Sequence, residues 1–426
     1  MSFKILMNLY HFFTAVFFNF GGLKLLKRKY KNTISERMGF IEDVPQNSIW
    51  VHAVSVGEVQ SASSLIRVIK DYNKNIPCII STVTLTGHDT AEKLLNGVVD
   101  KIIYSVWDYS KFVTRALNNI NPKIYITMET ELWPEILTQL KARNIPMYLA
   151  NGRISEKSFK RYKKMSGFWK KILSCFNKLM VRFEEDKNKF TALGVPDEKI
   201  ILTGDCKVDA LLNRRNETTG EEWNFLKEND TKLFVAGSTH QGEDDVIISA
   251  FRILRRKFPN TKLIIVPRHP ERALMSIASV LPYSELNAEL FSKLQADENK
   301  NKNKNFDVII IDKIGLLFSL YAAADGVFVG GSLVNKGGQN PFEPVLFGKK
   351  AIHGPFMTDF PDTERMNQLG AALCVNNDLE LARAWEDCLN LDSRETAKNN
   401  CEKYFNTLGG AAKKTWDEIL NDNENL

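Results

Sequence analysis

The sequence predicts an α/β protein built from two doubly wound, Rossmann-like domains. Three observations predict it. Short β-rich runs alternate with helix-type runs along almost the whole chain. Those runs are continuously apolar rather than alternating, as in parallel strands buried on both faces. The 426 residues also suit two domains better than one.

The first element is residues 1–31. ILMNLYHFFTAVFFNFGGLKLL is apolar and aromatic over about the length of a membrane-thick helix, interrupted by Asn8, His11 and Asn19. Only Lys4 precedes it, whereas Lys24, Lys27, Arg28, Lys29 and Lys31 follow or end it. A signal peptide has the opposite charge order. The positive-inside rule then leaves the rest of the chain in the cytoplasm. The expectation is a retained N-terminal membrane-anchor helix, either spanning the bilayer or lying in its interface. A buried core helix is the alternative.

The first domain is expected over 32–215, with strands near 49–56, 78–83, 101–105, 123–128, 146–150, 178–182 and 200–203. Helical patterns such as EVQSASSLIRVIKDY and WPEILTQLKARN separate them. The polar run 208–232 reads as the boundary. The second domain, 216–395, repeats the habit with KLFVAG, KLIIVP, DVIIID, GVFVGG, KKAIHG and ALCVNN, and the polar run 295–306 reads as an exposed loop. Residues 396–426 are expected to form a C-terminal helix that packs back towards the first domain.

Composition narrows the function. With 57 basic and 51 acidic residues the net charge is +6, too mild for a dedicated nucleic-acid binder but suited to an anionic membrane or a phosphorylated substrate. Six scattered cysteines without zinc spacing read as reduced, packed thiols. There is no GxxxxGK[ST], no GxGxxG after a strand, no HExxH and no GxSxG. Glu243, Asp244 and Asp245 follow Gly242 where a helix should begin, which suits dipole partners better than a metal site.

What remains is a set of strand-end loops, which line the ligand crevice in open α/β sheets. In the first domain AVSVGEVQ carries Glu58, with Gly57 expected to make a tight strand-to-helix turn. STVTLTGHD carries Thr86, and METELWPE carries Glu129 and Glu131 ahead of a helix opened by Trp133-Pro134. In the second domain AGSTHQGEDD offers Ser238 and His240 at a helix N-terminus, a setting that binds anions. VPRHPER offers Arg268, His269 and Arg272. In VGGSLVNKGGQNPFEPVLFGK the glycines let backbone approach a ligand, Asn340 caps a helix from Pro341, and Glu343 sits in its first turn, able to accept two sugar hydroxyls. The bland readings are capping for Glu58 and Glu343 and a surface turn for Arg268 and His269. Finally, RISEKSFKRYKKMSGFWKKIL interleaves Arg153, Lys160, Arg161 and other cations with Phe159, Tyr162, Phe168 and Trp169. That mixture suits a bilayer interface or, more simply, a solvated basic helix face.

In combination and in this order, HAVSVGE, METELWPE, NGRISEKSFKRY, GSTHQGE, VPRHPER and GGSLVNKGGQNPFEP resemble the Kdo transferases, the 3-deoxy-D-manno-octulosonic acid transferases of lipopolysaccharide synthesis, from about Tyr10 to about Trp416. The resemblance implies a GT-B glycosyltransferase whose two domains face across a cleft. It would be inverting, with no cofactor and no metal in the transferase site, and would move Kdo from CMP-Kdo to a glucosamine hydroxyl of the lipid A precursor. It implies an inner-membrane enzyme working at the cytoplasmic leaflet, with no nucleic-acid partner. The position of Glu58 matches the family's general base, and that of Glu131 a second important carboxylate. Donor-binding positions fall on Lys207, His240, Arg268, Asn335 and Glu343. Beside them, Gly331 and Ser332 are candidates for the Kdo carboxylate, and Ser238, His269 and Asn340 complete the expected donor set. Thr86, Arg153, Lys160 and Arg161 are the expected acceptor set. Three positions depart from the family pattern: Gln339 where His is usual, Leu316 where an acid is usual, and Gly152 where Ala is usual. A nucleotide-sugar epimerase or other GT-B enzyme, or a non-catalytic membrane-tethered binder of sugar nucleotides, are the alternatives.

Overall fold

The computed structural model describes residues 3–22, 24, 26, 30–283, 285–296, 306–406 and 408–423. The basic-flank residues Lys27, Arg28 and Lys29, and residues 297–305 of the expected loop, lie outside the described residues. The chain divides into two compact units, Met1–Ala210 with Leu408–Leu426, and Leu211–Thr407. Each is described by itself.

The first unit holds β1 (Ile49–His52), β2 (Cys78–Thr82), β3 (Lys101–Tyr104), β4 (Ile124–Met128), β5 (Met147–Gly152), β6 (Lys178–Val181) and β7 (Ile200–Leu202). They form one sheet in the order β3-β2-β1-β4-β5-β6-β7, with every pair parallel. Alternation along β1 sends Trp50 into one apolar cluster and Ile49 and Val51 into another, so both faces of the sheet are covered. The C-terminal helix Ala411–Asn421 closes one of these cores, with Trp416 and Ile419 fully buried. Burying Ile419 alone stabilises by about 1.5–3 kcal/mol. The helix before it, Leu391–Asn406, belongs to the second unit, so the chain returns at 407/408 rather than at 396.

The second unit holds β8 (Lys232–Thr239), β9 (Thr261–Pro267), β10 (Ala288–Leu290), β11 (Val308–Ile310), β12 (Gly326–Val329), β13 (Ala351–His353) and β14 (Ala372–Cys374). Their order is β10-β11-β9-β8-β12-β13-β14, again all parallel. Phe234 and Ala236 face one core, Leu233 and Val235 the other. In both sheets the strand order reverses once, between β1 and β4 and between β8 and β12. Ligands of open α/β sheets bind beyond the strand carboxyl ends at such a switch.

The segment 208–232 is not a bare linker. It contains the end of the helix Cys206–Asn216 and a 3-10 turn, Glu221–Leu226, whose Trp223 is 2% exposed in the second core.

The N-terminal helix runs from Phe3 to Asn19, and at 1.5 Å per residue it is about 25 Å long. Among the described residues no helix is long and apolar enough to cross a membrane. The spanning form of the expected anchor is therefore corrected, and the reason lies in its packing. One face is committed to the first unit: Met7 and Phe18 are buried, and Phe18 stacks on Trp107 and Tyr109. Tyr10 and His11 bond Asp108 and Glu135. The opposite face leaves Ile5, Leu9, Phe12, Phe13, Val16, Phe17 and Phe20 exposed, an apolar stripe at helical spacing.

Candidate active site

In the first unit the two strand ends that flank the switch point carry carboxylates. After β1 the chain enters the helix Val56–Tyr72, with Glu58 in its first turn and 7% exposed. The Glu58 carboxylate accepts the Val54 N–H at 2.8 Å and the Ser55 hydroxyl at 3.0 Å, so the capping reading is partly realised. Gly57 does not make the expected tight turn. It is an ordinary helical residue, and a methyl group there would meet only Lys207, at 3.6 Å.

After β4, Glu129 adopts φ +53°, a left-handed conformation that costs a non-glycine residue free energy and persists where the surroundings hold it. Those surroundings are Arg153, whose Nε lies 2.5 Å from Glu129 Oε2, and Lys207, whose Nζ lies 3.2 Å from Oε1. Thr130 donates to the Arg153 carbonyl, drawing the β4 and β5 loops together. Lys207, expected at the donor, thus joins the first unit's carboxylates.

Glu131 is half-buried, and Trp133 Nε1 donates to its Oε2 at 3.0 Å. Burial first, then the Glu58 and Glu129 charges, push its pKa up to about 7. Burial also raises Glu58, opposed by the Val54 amide, the Ser55 hydroxyl and Lys207. Three carboxylates with two cations thus leave a net acidic site in which one proton is held near neutral pH. A cavity of about 450 Å³ opens beside Glu129, Glu131, Arg153 and Arg182.

The acceptor set divides. Arg153 belongs to this cluster. Thr86 stands exposed in the first turn of the helix Leu85–Leu95, whose cap is Thr84. Lys160 and Arg161 are exposed on the helix Glu156–Lys163. The aromatic residues of that stretch do not face outward as a bilayer interface would need. Tyr162 and Phe168 are buried in the first core, and Phe159 and Trp169 pack against it, because the apolar positions fall on one helical face and the cations on the other.

In the second unit, Ser238, Arg268, Asn340 and Glu343 line one cavity of about 330 Å³. Gln339 lines it too, with its Nε2 3.4 Å from His240 Nε2. Burial and the charges of Arg272, His269, Lys336 and Arg268 lower the His240 pKa, so the imidazole is neutral at pH 7 in a positive field. The Arg268 guanidinium has no hydrogen-bond or ion-pair partner among the described residues. Asn340 Oδ1 accepts the Phe342 N–H at 3.0 Å, starting the helix Phe342–Leu346 one residue later than expected. Glu343 is raised by burial, with Arg214 opposing.

Arg214 and Lys313 are wall residues that sequence reasoning missed. Arg214 stacks over Phe318 at 3.8 Å. Its run of polar neighbours gave no signal of a wall, although the run is helical.

Two expected donor residues are corrected. The Gly331 and Ser332 amides do not face a ligand, because the Glu243 carboxylate accepts both, at 2.7 and 3.0 Å, together with the His240 and Leu333 N–H groups. The Ser332 hydroxyl, fully buried, donates to the Val329 carbonyl at 2.5 Å and accepts from Gly354. An anion nest exists here, as the loop sequence suggested, but the protein's own carboxylate fills it. Glu243 and Asp244 are likewise spent within the fold, since Asp244 pairs with Arg272 and Ser276. Gly330 is required by close approach: a Cβ would lie 2.6 Å from the Ser238 carbonyl oxygen. Asn335 stands exposed on the turn that follows, and His269 is exposed 3.8 Å from Glu271.

The departures have local accounts. A methyl at Gly152 would come within 2.5 Å of Leu149, so glycine fits this packing. Leu316 is the residue before the helix Leu317–Ala323 and packs on the second core.

Residues 32–210 match the family model described as 3-deoxy-D-manno-octulosonic-acid transferase (kdotransferase). The chain is 34% identical over 93% of its length to the 3-deoxy-D-manno-octulosonic acid transferase of Haemophilus influenzae, 93% of which is covered. It is 30% identical to the transferase of the same name from Chlamydophila psittaci, over 82% of this chain and 79% of that one. Among solved structures, the UDP-GlcNAc 2-epimerase of Neisseria meningitidis bound to UDP-GlcNAc is similar with a TM-score of 0.58, over 88% of this chain and 100% of that one, at 13% identity. That last likeness is one of fold, and it is GT-B-like. With identity of this extent over nearly the whole of both sequences, the chain belongs to the 3-deoxy-D-manno-octulosonic acid transferase family.

Proposed function

We propose that the chain is an inverting glycosyltransferase that moves Kdo from CMP-Kdo to a glucosamine hydroxyl of the lipid A precursor. The observation that carries the chemistry is the under-neutralised carboxylate cluster at the first unit's switch point. An alcohol is a poor nucleophile, and a positioned base contributes about 10²–10⁴-fold. Glu58 and Glu131 act as a pair in this reading. Glu58 is fixed by Val54 and Ser55, while Glu131, held near pH 7 and with no hydrogen bond to its Oε1 among the described residues, shares the proton that leaves the hydroxyl. CMP leaves with growing negative charge, which Arg268 and the field around His240 stabilise. Asn340 and Glu343 take sugar hydroxyls, with Arg214 beside them.

Membrane attachment in this reading is interfacial. The exposed stripe of the N-terminal helix enters the cytoplasmic leaflet, and the exposed cations Lys157, Lys160, Arg161, Lys163, Lys164, Lys170 and Lys171 attract anionic headgroups and the acceptor's phosphates. Vesicle binding that weakens with salt supports this; binding indifferent to salt and to Phe12→Ser/Phe13→Ser refutes it.

The test of activity is incubation with CMP-Kdo, generated in situ, and lipid A precursor. A mass gain on the lipid is expected, and it counts the Kdo residues added. Glu58→Gln should leave the fold intact and remove the gain. Undiminished transfer would take Glu58 out of the reaction. The epimerase alternative rests on fold likeness at 13% identity and on no residue of the site.

A further inference from the structure

We propose that Tyr10 and Asp108 are positioning residues for the Glu131 carboxylate, so that the N-terminal helix is part of the catalytic unit as well as its attachment to lipid. The inference rests on the reading that Glu131 takes part in proton transfer.

Glu131 lies on a short loop between β4 and the helix Pro134–Ala142. Its carboxylate is clasped by Trp133, the residue before that helix. Where the helix begins therefore decides where the carboxylate points. The first amides of a helix have no partner within it. Here Asp108, 8% exposed, supplies one: its Oδ2 accepts the Glu135 N–H at 3.0 Å and its Oδ1 the Ile136 N–H at 2.9 Å. No residue of the helix's own cap does so.

Asp108 is itself held from the N-terminal helix. The Tyr10 hydroxyl donates to Asp108 Oδ2 at 2.6 Å. One residue on, His11 Nε2 meets Glu135 Oε2 at 2.5 Å, while Gln139 donates to Glu135 Oε1 at 2.7 Å. At the other end of the loop, Glu129 is pinned in its left-handed conformation by Arg153 and Lys207. The catalytic loop is thus gripped at both ends, and the downstream grip comes from a segment more than a hundred residues earlier in sequence. Membrane attachment needs only the outer stripe of the N-terminal helix. The Tyr10–Asp108–Glu135 connection on its inner face serves the loop.

Tyr10→Phe keeps the ring and the outer stripe and removes only the hydroxyl. In the full-length protein, kcat should fall about tenfold or more, since small misplacement of a reacting group costs up to about 10²-fold. KM for donor and acceptor should be unchanged. The loss should be the same with acceptor in detergent micelles as in vesicles, and vesicle binding should be unaltered. Because Tyr10 acts through Asp108, Tyr10→Phe should cost nothing further in an Asp108→Asn background. Unchanged kcat, additive losses, or a loss confined to vesicles with weakened binding would each overturn the inference. Glu131→Gln, measured alongside, separates the two levels. If it leaves turnover intact, the role of Glu131 fails. If it abolishes turnover while Tyr10→Phe does not, only the positioning role fails.

Discussion

The two units share a seven-stranded parallel sheet and one reversal of strand order, yet their switch points carry opposite chemistry. At the first, Glu58, Glu129 and Glu131 share two cations, Lys207 and Arg153, both paired with Glu129, and a proton is retained near neutral pH. At the second, the Glu243 carboxylate accepts four backbone amides, and the cavity is lined by Arg268, Arg214 and Lys313 with a single carboxylate, Glu343, while neutral His240 lies behind Gln339. One topology can therefore take a proton or hold an anion. The difference is whether backbone donors are spent on an acid of the fold or withheld from it.

Four measurements would break or sharpen that contrast. The largest effect is expected for Glu131→Gln, which should lower kcat about 10²–10⁴-fold with little change in melting temperature. A small effect would mean the first unit's acidity is structural. Next, Glu243→Gln should leave buried amides facing an NH₂ group and cost about 3 kcal/mol in urea unfolding. An unchanged midpoint would show that the nest does not need its anion. Third, Arg268→Gln should raise KM for CMP-Kdo about tenfold or more, as expected for a charge-assisted hydrogen bond of about 1.5–3 kcal/mol. A loss in kcat alone would place Arg268 in the transition state only.

The smallest effect is a pH dependence. Glu131 is raised from 4.5 to about 7 on folding, so the folded state holds this proton more tightly than the unfolded state. Its contribution to stability therefore falls as pH rises from about 4.5 to about 7. Asp108, raised from 3.8 to about 6 by burial, acts in the same sense. Unfolding scans across that window should show a shallower decline for Glu131→Gln than for the parent protein.

The sheets were legible because strands buried on both faces read as unbroken apolar runs, which is why, of the fourteen strands among the described residues, thirteen appear in the sequence and β10, a three-residue edge strand with the sequence AEL, does not. Glu58, Glu131 and Arg268 were legible as polar residues just beyond such runs, and Glu343 as a carboxylate in the first turn of a helix. Arg214 was not, since its polar neighbours conceal a helix whose apolar contacts come from distant Phe318. The role of Glu243 was hidden for a related reason. Its partners Gly331, Ser332 and Leu333 lie about ninety residues on, and no local pattern distinguishes a carboxylate that caps a helix from one that fills a remote nest. The aromatic residues of 154–173 misled because interleaving in sequence says nothing of face until helical phase is applied.

The Glu243 clasp also bears on how this protein can vary. Its carboxylate staples the end of β8 to the loop after β12 through main-chain N–H groups, which every residue type but proline supplies. Side chains beyond the buried Ser332 are thereby released from holding this junction. Gln339 is one such position: it lines the cavity and its amide lies 3.4 Å from His240 Nε2, so a change of side chain there alters the wall and leaves the clasp intact.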